Sequence, residues 1–143
     1  MAFVRKMAKL PYTAKQMYQL VDNIDEYAEF LPLCQSSRVI SRHDNIVRAS
    51  LCIAKGGFSR SFTTENYMTP YSLIDIRLVD GPFKKLEGFW HFQDKPQGQC
   101  IIRLELEYEF STPLVGTFFA PLFHQVAHSL VGSFKIRSNE VYG

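Results

Sequence analysis

The stretch CIIRLELEYEF, residues 100–110, constrains the fold most, because from Ile102 onward its apolar and charged residues alternate without interruption. From Ile102 to Phe110 every second residue is apolar, and the residues between them are Arg103 and three glutamates. Successive side chains of a β-strand point to opposite faces of the sheet. The stretch therefore predicts a strand of an antiparallel sheet with one apolar face and one face in water.

The same two-residue period extends over residues 36–110, where the sequence predicts six strands joined by turns. The dipeptide Gly56-Gly57 between two of these strands is typical of a two-residue hairpin turn with positive φ angles. Residues 80–82, Asp-Gly-Pro, predict another turn. Residues 3–10 predict a first strand, which brings the expected sheet to seven strands.

The strand after residues 80–82 contains the only tryptophan of the chain. Leu86, Trp90 and Phe92 are expected on one of its faces together with Gly88. A glycine in the middle of a strand favours a bend or the close approach of another backbone. Lys84 has the same parity, so we expect the strand to leave the apolar face near that lysine.

Two short helices are predicted between the first strand and the rest of the sheet. Thr13 followed by Gln16 has the spacing of a capping box, so Thr13 is the expected N-cap of the first helix. Asn23 followed by Glu26 is a second, weaker cap, and the short helix after it is expected to carry Tyr27, Phe30 and Leu31. It should end at Pro32, because proline cannot continue a helix.

A long helix is predicted after the last strand. Thr112 is suited to the N-cap and Pro113 to the first helical position. Pro121 lies inside this segment and is expected to kink the helix or to shorten its start. Apolar residues recur at the helical period and define one side of the helix: Val115, Phe118, Phe119, Leu122, Val126, Leu130 and Phe134.

The order of these elements predicts an α+β fold in one domain over residues 1–143. An antiparallel sheet of seven strands twists and curls, so it presents a concave apolar face. The long C-terminal helix is available to fill that face, and a cavity is expected between the curved sheet and the straight helix. The aromatic content of 14% fits a plain core or a cavity wall equally well.

Composition argues against a nucleic-acid-binding surface of the usual basic kind. The formal net charge is +2 and the two signs are interspersed along the chain, so DNA is not an expected partner. The three cysteines have no metal-binding or redox spacing, and the N-terminal residues lack the apolar region of a signal peptide. A reduced, cytoplasmic protein is therefore expected.

No catalytic site and no metal site are predicted. His124 and His128 have the spacing of two zinc ligands on a helix, but Gln125 stands where the HExxH motif has its general-base glutamate. No third ligand lies nearby in the sequence, and neither a GxSxG nucleophile motif nor a Walker loop is present. We therefore expect both histidines to be partly exposed and not to be metal ligands.

Two other features leave alternatives open. Residues 112–134 contain no charged side chain, which favours contact with a membrane surface or a partner, or else packing within the protein. Arg60 has the same strand parity as Phe58 and Phe62. It is therefore either a buried contact for the polar head group of a ligand or an edge residue that extends into water.

Four segments of the chain together resemble a known family. They are residues 11–34 with the motif YxxFLPxC, residues 62–66 (FTTEN), residues 78–92 (LVDGPFKKLEGFWHF) and the NEVY end of the last helix. Over essentially its whole length the chain is similar to the coenzyme-Q-binding START-domain proteins of the helix-grip, polyketide cyclase-like superfamily. Within that family it most resembles the bacterial ribosome association toxins.

The resemblance implies a curved antiparallel sheet that grips a C-terminal helix around an apolar cavity. It implies non-enzymatic binding of ubiquinone or another polyprenyl lipid in that cavity, in support of respiration and with no cofactor required. The alternative is the toxin activity, which means binding to the large ribosomal subunit and blocking subunit association. A cyclase-like enzyme is the third alternative. The expected location is the cytoplasm, with peripheral contact at the inner membrane if the uncharged helix meets lipid.

The expected cavity is lined from both the sheet and the helices. The resemblance assigns its mouth and part of its wall to Tyr27, Phe30, Leu31, Pro32, Leu86, Trp90 and Phe92. Strand parity and the helical stripe add Phe62, Leu104, Leu106, Phe118, Leu122 and Val126, and Arg60 is the candidate head-group contact. The basic residues able to contact ribosomal phosphate are Arg5, Lys6, Lys9, Lys84 and Lys85.

Overall fold

The computed structural model describes residues 1–143 and contains a seven-stranded antiparallel sheet packed against one long helix. The strands are β1 (Ala2–Leu10), β2 (Cys34–His43), β3 (Ile46–Lys55), β4 (Phe58–Thr69), β5 (Leu73–Asp80), β6 (Phe83–Lys95) and β7 (Gln99–Phe110). Their order in the sheet is β1-β7-β6-β5-β4-β3-β2. From β2 to β7 each strand pairs with the next along the chain, so β1 and β2 are the edges. The predicted α+β arrangement is confirmed.

The helices are α1 (Ala14–Asp22), a 3₁₀ helix (Ile24–Glu29) and α2 (Pro113–Tyr142), and a 3₁₀ turn (Pro96–Gly98) joins β6 to β7. The capping box of α1 is confirmed. The Thr13 hydroxyl accepts a hydrogen bond from the Gln16 backbone N–H at 3.1 Å, and the Gln16 side chain accepts one from the Thr13 N–H at 2.8 Å. Thr112 caps α2 by accepting from the Val115 N–H at 3.1 Å.

The second short helix differs from its prediction in type and length. It is a 3₁₀ helix that ends at Glu29, so residues 30 and 31 lie after it. The last turn closes with a hydrogen bond from the Phe30 N–H to the Tyr27 carbonyl oxygen at 3.2 Å. Pro32 has no N–H to extend this turn, and Leu33 adopts a φ of 60° that redirects the chain into β2.

The two hairpin features predicted around β4 and β6 are present. Gly56 and Gly57 have φ angles of 58° and 84°, as the two-residue turn between β3 and β4 requires. The turn at residues 80–82 separates β5 from β6. Lys84 is exposed, as expected for a residue at the point where the strand leaves the apolar face. It does not itself lie on that face, because a register shift between Phe83 and Lys85 brings Phe83 onto the buried face instead.

Helix α2 is continuous through Pro121 and begins at Pro113, so the proline does not shorten its start. Proline removes the hydrogen bond to the carbonyl four residues earlier, which here belongs to Thr117. Both residues are exposed, so water is available to that carbonyl group. By length and composition alone α2 is apolar enough to cross a membrane, but its Phe119, Phe123 and Phe134 side chains are buried within the protein.

The side of α2 that faces the sheet is rotated from the predicted one. Adjacent residues on a helix point about 100° apart, so only one of Phe118 and Phe119 can face the core. Phe119 is fully buried against Phe83 and Phe110. Phe118 is 57% exposed, and its ring lies 6.2 Å from that of Phe58 beside the β3–β4 turn.

Gly88 lies where the backbones of two neighbouring strands approach each other closely. It pairs with Leu106 of β7 on one side and with Ile76 of β5 on the other. A Cβ atom at this position would lie 2.0 Å from the Glu105 carbonyl oxygen and 2.9 Å from the Leu106 Cα. The expected close backbone approach is therefore confirmed, and it occurs in the middle of the curled sheet.

We expect the substitution Gly88→Ala to destabilise the protein by about 1–3 kcal/mol, because the strands must separate to admit the methyl group. The free energy of unfolding from urea denaturation measures this effect. Gly132→Ala is the matched control: it lies in α2 with open space around it, and alanine there should stabilise by about 0.5–1 kcal/mol. Unchanged stability of Gly88→Ala would contradict the close approach.

Candidate functional site

A cavity of about 100 Å³ lies between the concave face of the sheet, the 3₁₀ helix and α2. Of the 21 residues that line it, 18 are hydrophobic. Asp22, Thr64 and Asn66 are the polar ones. An apolar wall with a few polar groups is the usual character of a small-molecule site, although such sites typically measure roughly 300–1,000 Å³.

The structure brings seven of the predicted cavity residues together at this wall. They come from the 3₁₀ region, from the three strands β4, β6 and β7 and from α2: Tyr27, Leu31, Phe62, Leu86, Trp90, Leu106 and Val126. Their position on the wall is a fact of the fold. Their contact with a ligand remains a prediction.

Six other predicted residues do not reach the cavity: Phe30, Pro32, Phe92, Leu104, Phe118 and Leu122. Phe92 and Leu104 are buried at the end of the concave face that α1 covers, where Phe92 packs on Tyr18 at 5.6 Å. The rotation of α2 removes Phe118 and Leu122. Phe30 and Pro32 lie beyond the 3₁₀ helix, and Phe30 packs on the outer side of Phe134.

Arg60 is not a cavity residue. Its side chain is exposed, its guanidinium donates to the Ser59 carbonyl oxygen at 2.9 Å, and it lies over the Phe58 ring at 4.8 Å. Arg60 lies close to the β3–β4 turn at Gly56 and Gly57. Its side chain therefore extends past the end of the sheet into water. Of the two predicted alternatives, the edge residue is the one observed.

Several wall residues were not among the predicted cavity residues. On α2 they are Phe123, Ala127, Leu130 and Phe134. Phe123 and Ala127 are four residues apart, so the sequence could have placed them on the same face of the helix. On β3, β4 and β5 they include Ala49, Asn66 and Ile74. Strand parity could have placed these on the inward face, but it does not show how far along each strand the cavity extends.

The charged group at the cavity wall is neutralised by a partner outside it. Asp22 receives hydrogen bonds from the Arg42 guanidinium at 3.0 and 3.2 Å, and Arg42 also donates to the Asp22 backbone carbonyl at 2.9 Å. The buried Tyr27 hydroxyl donates to the Val21 carbonyl oxygen. Burial raises the pKa of Tyr27, so this hydroxyl stays protonated. The interior of the cavity is therefore uncharged.

Tyr108 and His124 form a polar pair beside the cavity. Burial raises the pKa of Tyr108 to about 12, so its hydroxyl is protonated, and it shares a hydrogen bond with Nδ1 of His124. The pKa of His124 is lowered, first by burial and second by the nearby His128. Both effects favour a neutral His124, which accepts from Tyr108 in the tautomer that carries its proton on Nε2.

The two histidines of α2 are not part of a metal-ligand cluster. His128 is exposed, and the rings of His124 and His128 lie 6.4 Å apart. The structure contains no group of three or more His, Cys, Asp or Glu side chains arranged to hold a metal ion. The three cysteines are free, with Cys34 and Cys100 buried.

Much of the aromatic content is packed next to the cavity. Phe83, Phe110, Phe119 and Phe123 form a cluster in which neighbouring ring centroids lie 4.8–6.2 Å apart. Only Phe123 of these also lines the cavity. The aromatic residues therefore form both plain core packing and cavity wall, in different parts of the same core.

Comparison with known proteins places the chain in a family. Residues 10–135 match the model of the family described as polyketide cyclase / dehydrase and lipid transport. The ribosome association toxin RatA of Escherichia coli K12 is 40% identical over 97% of this chain and 88% of its own length. RatA of Pseudomonas aeruginosa is 38% identical over 98% and 97%. The mitochondrial coenzyme Q-binding protein COQ10 of Dictyostelium discoideum is 28% identical over 97% and 70%.

Solved structures share the fold at low sequence identity. A Thermus thermophilus protein superposes with a TM-score of 0.84 at 19% identity, covering 99% of this chain and 100% of its own. The Zhui aromatase/cyclase of a Streptomyces species gives 0.81 at 10% identity, with 97% and 94% covered. A START superfamily protein of Mycobacterium smegmatis gives 0.79 at 18%, with 97% and 98% covered. The curved sheet with a C-terminal helix is thus the START-like fold.

The lowered pKa of His124 predicts a pH effect on stability. The unfolded chain binds a proton on this histidine at a higher pH than the folded protein does, so stability falls as the pH drops through the ordinary histidine pKa of about 6.5. His124→Asn keeps an acceptor near Tyr108 but does not titrate. Its Tm should therefore fall less than that of the wild type between about pH 8 and about pH 5.

His43→Asn is the control for this comparison, because His43 is exposed on β2 and should follow the wild type. Equal losses of Tm in His124→Asn and the wild type would contradict the assignment of a neutral, half-buried imidazole at His124.

Proposed function

The chain belongs to the polyketide cyclase / dehydrase and lipid transport family, and we propose that within it the protein acts on ribosome association. The observation that carries this proposal is the identity of 40% and 38% to two proteins named ribosome association toxin, each matched over nearly the whole chain. In this proposal the protein binds the large ribosomal subunit and thereby hinders its union with the small subunit.

The surface offers a limited set of cations for ribosomal phosphate. Arg5 and Lys85 are engaged by glutamates of β7, at 3.4 Å from Glu105 and 2.9 Å from Glu107. Lys6, Lys9 and Lys84 are exposed, and none of them takes part in an ion pair. These three lysines are therefore the better candidates for phosphate contacts, because no internal pair must be broken.

A second function, binding of an apolar ligand, is favoured by the cavity itself. Its wall is almost entirely hydrophobic and its charged rim residue is paired. The coenzyme Q-binding name of the Dictyostelium relative is consistent with ubiquinone or another polyprenyl lipid as the ligand. A volume of about 100 Å³ is too small for a polyprenyl chain, since a cavity of about 150 Å³ is filled by one benzene.

A ligand of this size needs a wider cavity, and we propose that it opens between α2 and the 3₁₀ helix, both of which line it. These two elements are joined by the Arg137 guanidinium, 3.4 Å from Glu26 and 3.8 Å from Glu29, and by Phe30 packed on Phe134 at 5.1 Å. Partly exposed ion pairs of this kind contribute little to stability. The contact between α2 and the 3₁₀ helix is therefore the proposed opening.

A non-enzymatic role, without a required cofactor, remains part of the proposal. The relatives are named as a toxin and as a binding protein, whereas the cyclases among the structural neighbours are too dissimilar in sequence to indicate more than the fold. Location in the cytoplasm and contact with the inner membrane remain predictions. The exposed Leu114 and Phe118 of α2 are the residues through which such contact would occur.

Ribosome binding is tested by sedimentation of extracts from cells that overproduce the protein. We expect the protein in the large-subunit fraction and a shift from whole ribosomes to separate subunits. The double variant Lys6→Gln, Lys9→Gln should bind more weakly and with a reduced dependence on salt, because each phosphate contact contributes about one unit of salt slope. Unchanged ribosome profiles, with no protein in the large-subunit fraction, would rule out this function.

Ligand binding is tested by mass spectrometry of compounds that copurify with the protein from its native host. We expect an apolar compound in near-equal amount with the wild type and its loss in Ala49→Leu, which fills the cavity from β3. Ala54→Leu, on the opposite face of the same strand, is the control and should retain the compound. The absence of any copurified compound, with no uptake of added ubiquinone, would refute ligand binding.

A further inference from the structure

One polar side chain in the cavity has unused hydrogen-bonding capacity. Asn66 is only 8% exposed and lies among the apolar residues of the wall. The Thr64 hydroxyl donates to its Oδ1 at 3.1 Å. This is the only side-chain hydrogen bond that Asn66 makes within the protein, and it leaves the amide NH₂ group free. The amide nitrogen is not among the fully buried unpaired atoms of the protein, so it keeps surface toward the cavity, where the acceptor of a ligand can reach it.

The strand register directs this amide into the cavity. Asn66 of β4 pairs with Val47 of β3 and with Ile76 of β5. Val47 is buried, and Ile76 lines the cavity. Directly paired residues point to the same face of a sheet. The NH₂ donors therefore face the concave side, beneath α2.

The charge of the wall limits the kind of group that can bind there. No lysine, arginine or histidine lines the cavity. The nearest guanidinium, that of Arg42, is engaged by Asp22. An anionic group such as a fatty-acid carboxylate would therefore be buried without a counter-charge, which is strongly unfavourable.

We propose that Asn66 is the recognition residue of the cavity and donates a hydrogen bond to the carbonyl oxygen of an uncharged, otherwise apolar ligand. This inference rests on the proposed ligand-binding function and adds to it the class of compound selected. Thr64 acts as a positioning residue, because its hydroxyl holds Oδ1 and turns the NH₂ group toward the ligand.

Three probes of nearly the same size separate these possibilities: benzylacetone, which has one ketone, butylbenzene, which has none, and hydrocinnamate, which is anionic. Their dissociation constants are measured by calorimetry for the wild type, Asn66→Leu and Thr64→Val. In Asn66→Leu the affinity for benzylacetone relative to butylbenzene should fall by about tenfold, the size of one neutral hydrogen bond plus its desolvation.

Thr64→Val should change this ratio much less, because Asn66 is retained. Hydrocinnamate should bind the wild type at least about tenfold more weakly than benzylacetone. If Asn66→Leu does not fold, Asn66→Val provides the same comparison with a residue that favours strands.

The outcomes distinguish this inference from the function on which it rests. Binding of butylbenzene and benzylacetone with the same ratio in wild type and Asn66→Leu would overturn the role of Asn66 while leaving an apolar-ligand site. Equal binding of hydrocinnamate and benzylacetone would overturn the selection for uncharged ligands. Binding of none of the three probes would overturn both the inference and the ligand-binding function.

Discussion

The fold depends on the cover that α2 provides for the concave face of the sheet. Near one end of the contact Phe123 packs edge-to-face on Phe83 and on Tyr108, each with ring centroids 4.8 Å apart. Near the other end Phe134 packs on Trp90 at 5.3 Å. Without these contacts the inward apolar residues of the strands would meet water, so the sheet and α2 must form as one core.

The contacts of Phe123 and Phe134 with the sheet also account for the cavity. Phe123 and Phe134 are separated by roughly 16 Å along the helix axis. Between them α2 presents Val126, Ala127 and Leu130 to the sheet, all of them smaller than phenylalanine. A straight helix held at two points over a curved sheet leaves space under the smaller residues, and Asn66 faces that space. The position of the site thus follows from the packing that stabilises the fold.

Local patterns in the sequence predicted the helices, strands and turns well. They did not predict how these elements pack against one another. The alternation in β7, the capping box at Thr13 and the paired glycines of the β3–β4 turn each depend on neighbours within a few residues, and all were confirmed. The rotation of α2 was missed because the helix is apolar on nearly every side, so periodicity cannot tell Phe118 from Phe119. The register shift at Phe83 and the exposure of Arg60 depend on strand ends. No local signal marks Asn66 as a cavity residue, because its parity alone fits any inward position.

The two proposed functions use different parts of the molecule, with ribosome association assigned to exposed cations and ligand binding to the enclosed wall. The central structural claim is that α2 covers a ligand cavity whose wall includes Asn66 and Trp90. The most direct measurement is a crystal structure of the protein purified from its native host without removal of bound lipid. The predicted result is ligand density between the concave face and α2, with a ligand oxygen within hydrogen-bonding distance of Asn66. Density confined to the outer surface, or an α2 that buries Phe118 in place of Phe119, would contradict it.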